Sequence, residues 1–281
     1  MAWMVLLATV IAVLVARNFV FGLSHFPPFS LGPLRISPFG PLMMLDIFFG
    51  FYLVRRWCRR FGLDWERFSA GLGWIVLVGY YISHWISIGL YFPQHLTEIG
   101  TLLNPRGLIS SFGGMYGGGL LAVLYLRRVG LPVWRHMDAL VYGFVGGYVF
   151  GRAGCFAIHD HPGRVTNFFL GVDIDGLVRH DLGFYEMGLM LGLLIVLTLL
   201  ARGGRPIDAL PTAVALSIYA PVRFAFDALR VADPLYAGLT PGQWFCIPTA
   251  VLALIAWWRV ASTPEISTPA TPSARPGDAL N

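Results

Sequence analysis

Residues 139–158 read ALVYGFVGGYVFGRAGCFAI, a run whose single charged side chain is Arg152. About 20 continuous apolar residues is the length a helix needs to cross bilayer hydrocarbon. The run does not alternate as the strand of a membrane barrel must. Gly143, Gly147 and Gly151 stand four apart, so they share one helical face that lets a second helix approach closely. An arginine at the end of such a run is costly and points to pairing or function.

Similar apolar runs lie near 3–22, 38–54, 70–92, 107–126, 184–201, 209–228 and 241–259. Of 281 residues, 56% are hydrophobic and 12% charged, and the mean hydropathy is +0.66. These values exclude a soluble enzyme. The expected fold class is all-α, a polytopic transmembrane helical bundle with seven core helices plus an extra N-terminal helix.

All 20 basic residues are arginine, and the net charge is +5. Arg55, Arg56, Arg59 and Arg60, then Arg127, Arg128 and Arg135, then Arg202 and Arg205 fall in every second connection. That is the positive-inside pattern, a topological use of charge that argues against a nucleic-acid partner. It places segments 23–37, 93–106, 159–183 and 229–240 outside, the longest of them, 159–183, as a polar loop with room to cover a site. The run from Ala2 to Leu23 lacks the basic start of a signal peptide, so residues 1–23 are expected as an extra helix, 24–260 as the membrane domain, and 261–281, rich in Ser, Thr and Pro, as a disordered cytoplasmic tail.

Polar residues at the outer ends of the runs are the candidate site. Arg152 lies in GRAGCFAIHDHPGR; Tyr219, Arg223, Asp227 and Arg230 share one helix face in YAPVRFAFDALR; Tyr185 and Glu186 follow the outer loop in HDLGFYE. Two readings stand. Arginines from different helices converge on an anion such as a phospholipid headgroup, which guanidinium forks bind well; or Arg223 pairs with Asp227, and Arg152 with Asp160 or Glu186. Asp46 and His84, inside their runs, are read as satisfied interhelical groups. His159, Asp160, His161, His180 and Asp181 include metal-ligating types, yet no helical spacing orders the imidazoles, and Cys58, Cys155 and Cys246 form no zinc or disulfide pattern. No metal and no cofactor are expected.

These motifs resemble the prolipoprotein diacylglyceryl transferases over about residues 24–258. HFPPFSLGPLRISPFG, SSFGGMYGG, GRAGCFAIHDHPGR, HDLGFYE and YAPVRFAFDALRVADPLYAGLTPGQWFCIP follow the family's blocks in order. Retained are Arg152, Gly154, Phe156, Gly163, Arg164, His180, Tyr185, Glu186, Tyr219, Arg223, Arg230, Asp233 and Gln243. Phe112 stands where the family has a histidine thought to take part in the chemistry; Cys155 and Ile158 replace asparagines, Asp160 and Asp227 replace glutamates, and Phe39 replaces a tyrosine.

The resemblance implies transfer of a diacylglyceryl group from phosphatidylglycerol to the cysteine thiol of a prolipoprotein signal peptide, releasing glycerol phosphate. It implies a multi-pass protein among the lipids of the bacterial cytoplasmic (inner) membrane, with its active site toward the outer face. On that reading Arg152, Arg164, Arg223 and Arg230 hold the lipid phosphate, and Arg152, Tyr219, Arg223, Asp160, His159 and His180 carry the chemistry. Tyr185, Glu186, Gly113, Gly114, Gly154 and Asp227 support them. With Phe112 unable to accept a proton, the base is sought among His159, His161, His180 and Tyr219. A divergent transferase or hydrolase with another acceptor, and a non-catalytic lipid-binding homologue, are the alternatives.

Overall fold

The computed structural model describes residues 2–20, 29–31, 34–104, 108–204, 206–231 and 233–263. Helix α1 (Ala2–Val15) continues through a π-helical turn (Ala16–Val20). A hairpin of β1 (Phe29–Leu31) and β2 (Leu34–Ile36) precedes α2 (Phe39–Phe61) and α3 (Trp65–Tyr91). A 3-10 turn (Pro93–His95) and the short α4 (Ile99–Leu103) lead to α5 (Ser111–Arg128) and α6 (Val133–Ile158). Strands β3 (Pro162–Val165), β4 (Val172–Ile174) and β5 (Leu177–Asp181) come before α7 (Leu182–Leu200), α8 (Leu210–Asp227) and α9 (Pro241–Ala261). The expected boundary at residues 23 and 24, and residues 264–281 of the expected tail, lie outside the described residues.

The protein is a multi-pass helical membrane protein. Helices α3, α6, α7 and α9 are long and apolar enough to cross a bilayer on length and composition alone. The remaining core helices α2, α5 and α8 have 23, 18 and 18 residues, but their hydropathy is diluted, in α2 by four arginines and Asp46, in α5 by glycines and in α8 by Arg223 and Asp227. Trp74, Trp85, Leu124, Ile195, Leu254 and Trp258 stand exposed on the outside of the bundle, where lipid rather than water is the suitable solvent.

Helix α6 is the hub. It is buried along most of its length and packs against α1, α2, α5, α7 and α8. Its glycine face makes this possible: a Cβ on Gly147 would lie 2.4 Å from the Asp46 carbonyl oxygen of α2, and one on Gly151 would lie 2.6 Å from Asp46 Oδ2. The Asp46 carboxylate therefore fills a notch between two turns of α6. His84 bonds through Nδ1 to the Leu108 carbonyl at 2.7 Å and through Nε2 to the Thr101 carbonyl at 2.8 Å, tying α3 to the segment before α5. A Cβ on Gly113 would meet the Ser83 Cα at 2.8 Å, whereas Gly114 has more room. Leu7 and Leu14 of α1, seven apart, are both buried in the core that α6 organises.

At one end of the bundle lie the last turns of α2 and α5, with Arg59, Arg60, Arg127 and Arg128, and the first turn of α6, with Arg135. These arginines extend the helices beyond the apolar runs instead of occupying loops, because a guanidinium can keep its helical backbone while its head reaches water. Asp138 of α6 is buried there and accepts from Ala209 N at 2.9 Å, Thr212 N at 3.1 Å and Thr212 Oγ1 at 2.7 Å. It caps the start of α8, which has no side-chain cap of its own.

The opposite end carries the segment 159–183, which is a three-stranded antiparallel sheet in the order β3-β5-β4 and not the expected loop. Asp175 and Gly176 both have positive φ, 54° and 80°, the geometry of the two-residue turn that suits right-twisted strands. The chain enters the sheet through His159, whose φ of 50° ends α6. Gly163 of β3 bridges to Arg230 beyond α8, and Arg164 N donates to the Leu229 carbonyl at 3.0 Å, so the sheet leans on α8.

Replacing Gly147 by Val should force α2 from α6 and cost about 1–3 kcal/mol of stability, seen as a lower thermal unfolding midpoint in detergent. Gly192→Ala, at a helical position with open space around it, should be neutral or mildly stabilising in the same measurement.

Candidate active site

Three helices bring the candidate site together below the sheet. Arg152 comes from the penultimate turn of α6, Glu186 from the second turn of α7, and Arg223 and Asp227 from the last turns of α8. Arg152 and Arg223 are each 2% exposed, and Glu186 and Asp227 are fully buried. Arg152 Nε lies 2.9 Å from Glu186 Oε2 and Arg223 Nε lies 3.5 Å from Glu186 Oε1. One carboxylate therefore stands between two guanidiniums. Neither Nε and neither Glu186 oxygen makes an aligned hydrogen bond among the described residues, so the contact is chiefly Coulombic.

The remaining guanidinium bonds fix orientation. Arg152 Nη2 donates to Ser111 Oγ at 2.9 Å and also to the Tyr148 hydroxyl, and Nη1 donates to Cys155 Sγ at 3.4 Å. The Arg152 guanidinium lies 4.6 Å from the Tyr148 ring centroid. Arg223 Nη1 donates to Asp227 Oδ1, and Asp227 Oδ2 accepts from Thr240 Oγ1. Thr240 also caps α9 in a box with Gln243, and a Cβ on Gly242 would lie 2.5 Å from Asp227 Oδ2. The TPGQ stretch thus seats α9 on the Asp227 carboxylate. Arg230 Nη1 is 3.6 Å from Asp227 Oδ1, and its Nε is 2.9 Å from Asp233 Oδ2.

Of the two pairing readings, Arg152 takes Glu186 as its carboxylate and Arg223 takes Asp227. Tyr219 is buried beside them, its ring 6.2 Å from that of Phe112. Phe112 stacks on Phe245 at 5.3 Å with planes 9° apart, and the Arg223 guanidinium lies 5.4 Å from its centroid. The aromatic residue holds Arg223 by a cation–π contact and offers no proton acceptor. Gly154 packs toward Phe39, with a Cβ there 3.1 Å from Phe39 Cδ2.

The histidines divide. His159 Nδ1 bonds Asp181 Oδ2 at 2.5 Å, and Asp181 also caps α7 through Phe184 N at 2.9 Å; the pair joins the end of α6 to the start of α7. Burial raises the Asp181 carboxyl above its ordinary value, in spite of that bond. His180 Nδ1 bonds the Tyr185 hydroxyl at 2.8 Å, and burial holds its imidazole below the ordinary histidine value. His161 Nδ1 lies 2.6 Å from Asp160 Oδ1. Burial pushes Asp160 up, but the His161 bond and the charges of His161 and Arg152 outweigh it, and the carboxyl lies below its usual range. His161 is thus the histidine whose partner senses Arg152. Arg164 stands exposed on β3, beside Arg230 through the backbone bridge and outside the buried cluster.

Tyr148 and Ser111 are neighbours of Arg152 that sequence reading missed. Tyr148 sits one turn before Arg152, a spacing that brings helical side chains together, so it was open to discovery; Ser111, from another helix, left only its polarity as a signal.

A sequence model of the prolipoprotein diacylglyceryl transferase family matches residues 28–259. The phosphatidylglycerol–prolipoprotein diacylglyceryl transferase of Thermus thermophilus is 35% identical over 146 residues, 50% of this chain and 52% of that protein. Its namesake from Wolinella succinogenes is 29% identical over 201 residues, 69% of this chain and 72% of its own. That of Legionella pneumophila is 28% identical over 249 residues, 82% of this chain and 94% of its own. The first match spans about half its relative's length, and the last nearly all of it.

Glu186→Gln should leave two buried guanidiniums facing a neutral amide. Removing one member of a buried ion pair costs about 3–5 kcal/mol, so the thermal midpoint in detergent should fall well beyond that of a Glu98→Gln control on the exposed connection; an equal midpoint for both variants would contradict the shared-carboxylate arrangement.

Proposed function

The chain belongs to the prolipoprotein diacylglyceryl transferase family, and from that premise we propose that its buried arginine cluster transfers the diacylglyceryl group of phosphatidylglycerol to a prolipoprotein cysteine thiol. The observation that carries this reading is the meeting of Arg152 and Arg223 on Glu186. Two cations fixed by one carboxylate in a low-dielectric site keep their positions without bulk water, which is what preorganised stabilisation of a departing phosphate needs.

In the transfer, the substrate thiol attacks the glyceryl carbon bonded to the phosphate oxygen. A carbon–sulfur bond forms, the carbon–oxygen bond breaks, and glycerol phosphate leaves with the electron pair. Arg152 and Arg223 face the negative charge that grows on it. Arg230 and the exposed Arg164 line the approach from the sheet end, where a lipid headgroup would enter. The thiol proton goes to His161, whose Nδ1 is turned to Asp160 and whose Nε2 is then the accepting nitrogen. His159 and His180 act as positioning residues through Asp181 and Tyr185, and Tyr219 helps wall the pocket. Phe112 takes the volume of the family histidine and supports Arg223, leaving proton acceptance to another residue.

The arginine-rich end faces the cytoplasm under the positive-inside rule, so the cluster opens toward the outer face of the bacterial cytoplasmic membrane. The acceptors on this reading are prolipoprotein signal peptides.

With labelled phosphatidylglycerol and a cysteine-containing signal peptide in detergent, Arg152→Ala and Arg223→Ala should each lower thioether formation by at least about 10²-fold, and Arg164→Ala by less. His161→Asn should reduce the rate while His180→Asn leaves a larger residue of activity. Full rates in both Arg152→Ala and Arg223→Ala would remove the cluster from the reaction, and lipid cleavage without peptide labelling would favour a hydrolase.

A further inference from the structure

The end of α6 gathers three chemically different metal-ligating groups beside the arginine cluster. Cys155 lies in the last turn of the helix; the left-handed His159 then reverses the chain, with Asp160 N donating to the Cys155 carbonyl at 3.4 Å. The reversal lays Asp160 and His161 back over the thiol. Ligand atoms of Cys155, Asp160 and His161 all lie within 4.8 Å of one another, with the His161 Nδ1 already turned onto Asp160 Oδ1 at 2.6 Å. Cys155 is 7% exposed, whereas the side chains of His161 and Asp160 are 23% and 29% exposed. The triad thus has a buried soft donor and a mouth open to the sheet end.

We propose that Cys155, Asp160 and His161 form a binding site for a soft divalent cation, zinc by preference. The donor set is the first argument. Thiolate, imidazole and carboxylate are the three ligand types zinc accepts, and three protein ligands leave a fourth position for water or a substrate atom. Charge is the second. Arg152, Arg223 and Arg230 are paired with Glu186, Asp227 and Asp233, which leaves the charge of Asp160 and of a Cys155 thiolate in excess when His161 is neutral. A dication at the triad offsets that excess. Arg152 Nη1, which donates to Cys155 Sγ at 3.4 Å, steadies the thiolate while Glu186 neutralises the arginine. Binding takes the thiol proton into solvent, Cys155–SH and the cation giving the metal thiolate and a proton.

The site shares His161 with the proton acceptor proposed above, and a metal and a proton compete for that imidazole. Binding itself does not rest on the transferase reading, so it is measured on substrate-free protein. Chelator-treated full-length protein in detergent, titrated with Co(II), should show a thiolate-to-cobalt charge-transfer band and take up one equivalent that Zn(II) displaces. Cys155→Ser should abolish the band, His161→Asn should weaken zinc binding at least tenfold, and His95→Asn, on a remote connection, should change neither. The wild-type spectrum is decisive even if a variant folds poorly: absence of the thiolate band, or zinc uptake unchanged in folded Cys155→Ser, would overturn the site. In the transfer assay, zinc should slow the wild type. Zinc that binds without slowing transfer would support the metal site and remove His161 from proton acceptance.

Discussion

The Glu186 carboxylate, fully buried between Arg152 and Arg223, is the constraint on which the rest of the structure depends. Each guanidinium alone would be too costly to bury. Sharing one counter-charge forces α6, α7 and α8 to meet at a single point, and Asp227 and Thr240 extend the same point to α9. Packing follows from this. The glycines of α6 let α2 come close on the other side, so that the hub helix is buried along most of its length, Arg152 included.

Much of this was legible in the sequence because charge is rare in it. Arg152, Arg223, Glu186 and Asp227 stood out as expensive residues in apolar runs, and the helical spacing of Arg223 and Asp227 named their pairing. The choice between Asp160 and Glu186 as the partner of Arg152 was not legible, since it depends on how α7 is rotated against α6. The small sheet reads as a loop in the sequence. Its turn, Asp175-Gly176 between short alternating stretches, carried a hairpin signal, but the polar composition of the segment concealed it. The arginines of the positive-inside pattern read as connections because hydropathy ends where the lipid does, whereas a helix ends only where its backbone bonds do.

Histidine placement separates by backbone conformation. His159 is held where α6 terminates, so its left-handed φ makes it a hinge between helix and sheet, and its ring is committed to Asp181. His180 is committed to Tyr185. His161, two residues past the hinge, is turned back toward the helix it has just left. The turn conformation, and not residue type, separates His159 from His161, which is why residue type alone could not rank the three.

The distribution of the ion cluster along the chain has a consequence for how the protein reaches its membrane. Arg152 is synthesised before its counter-charge on α7 and well before Arg223 and Asp227 on α8. Released alone into lipid, α6 would carry an unpaired guanidinium near its end, at a cost below the about 2.5–3.5 kcal/mol that an insertion scale gives for the bilayer centre. It is therefore suited to wait beside the insertion machinery until α7 emerges, so that the residues that hold the site together also set the order in which the bundle is assembled.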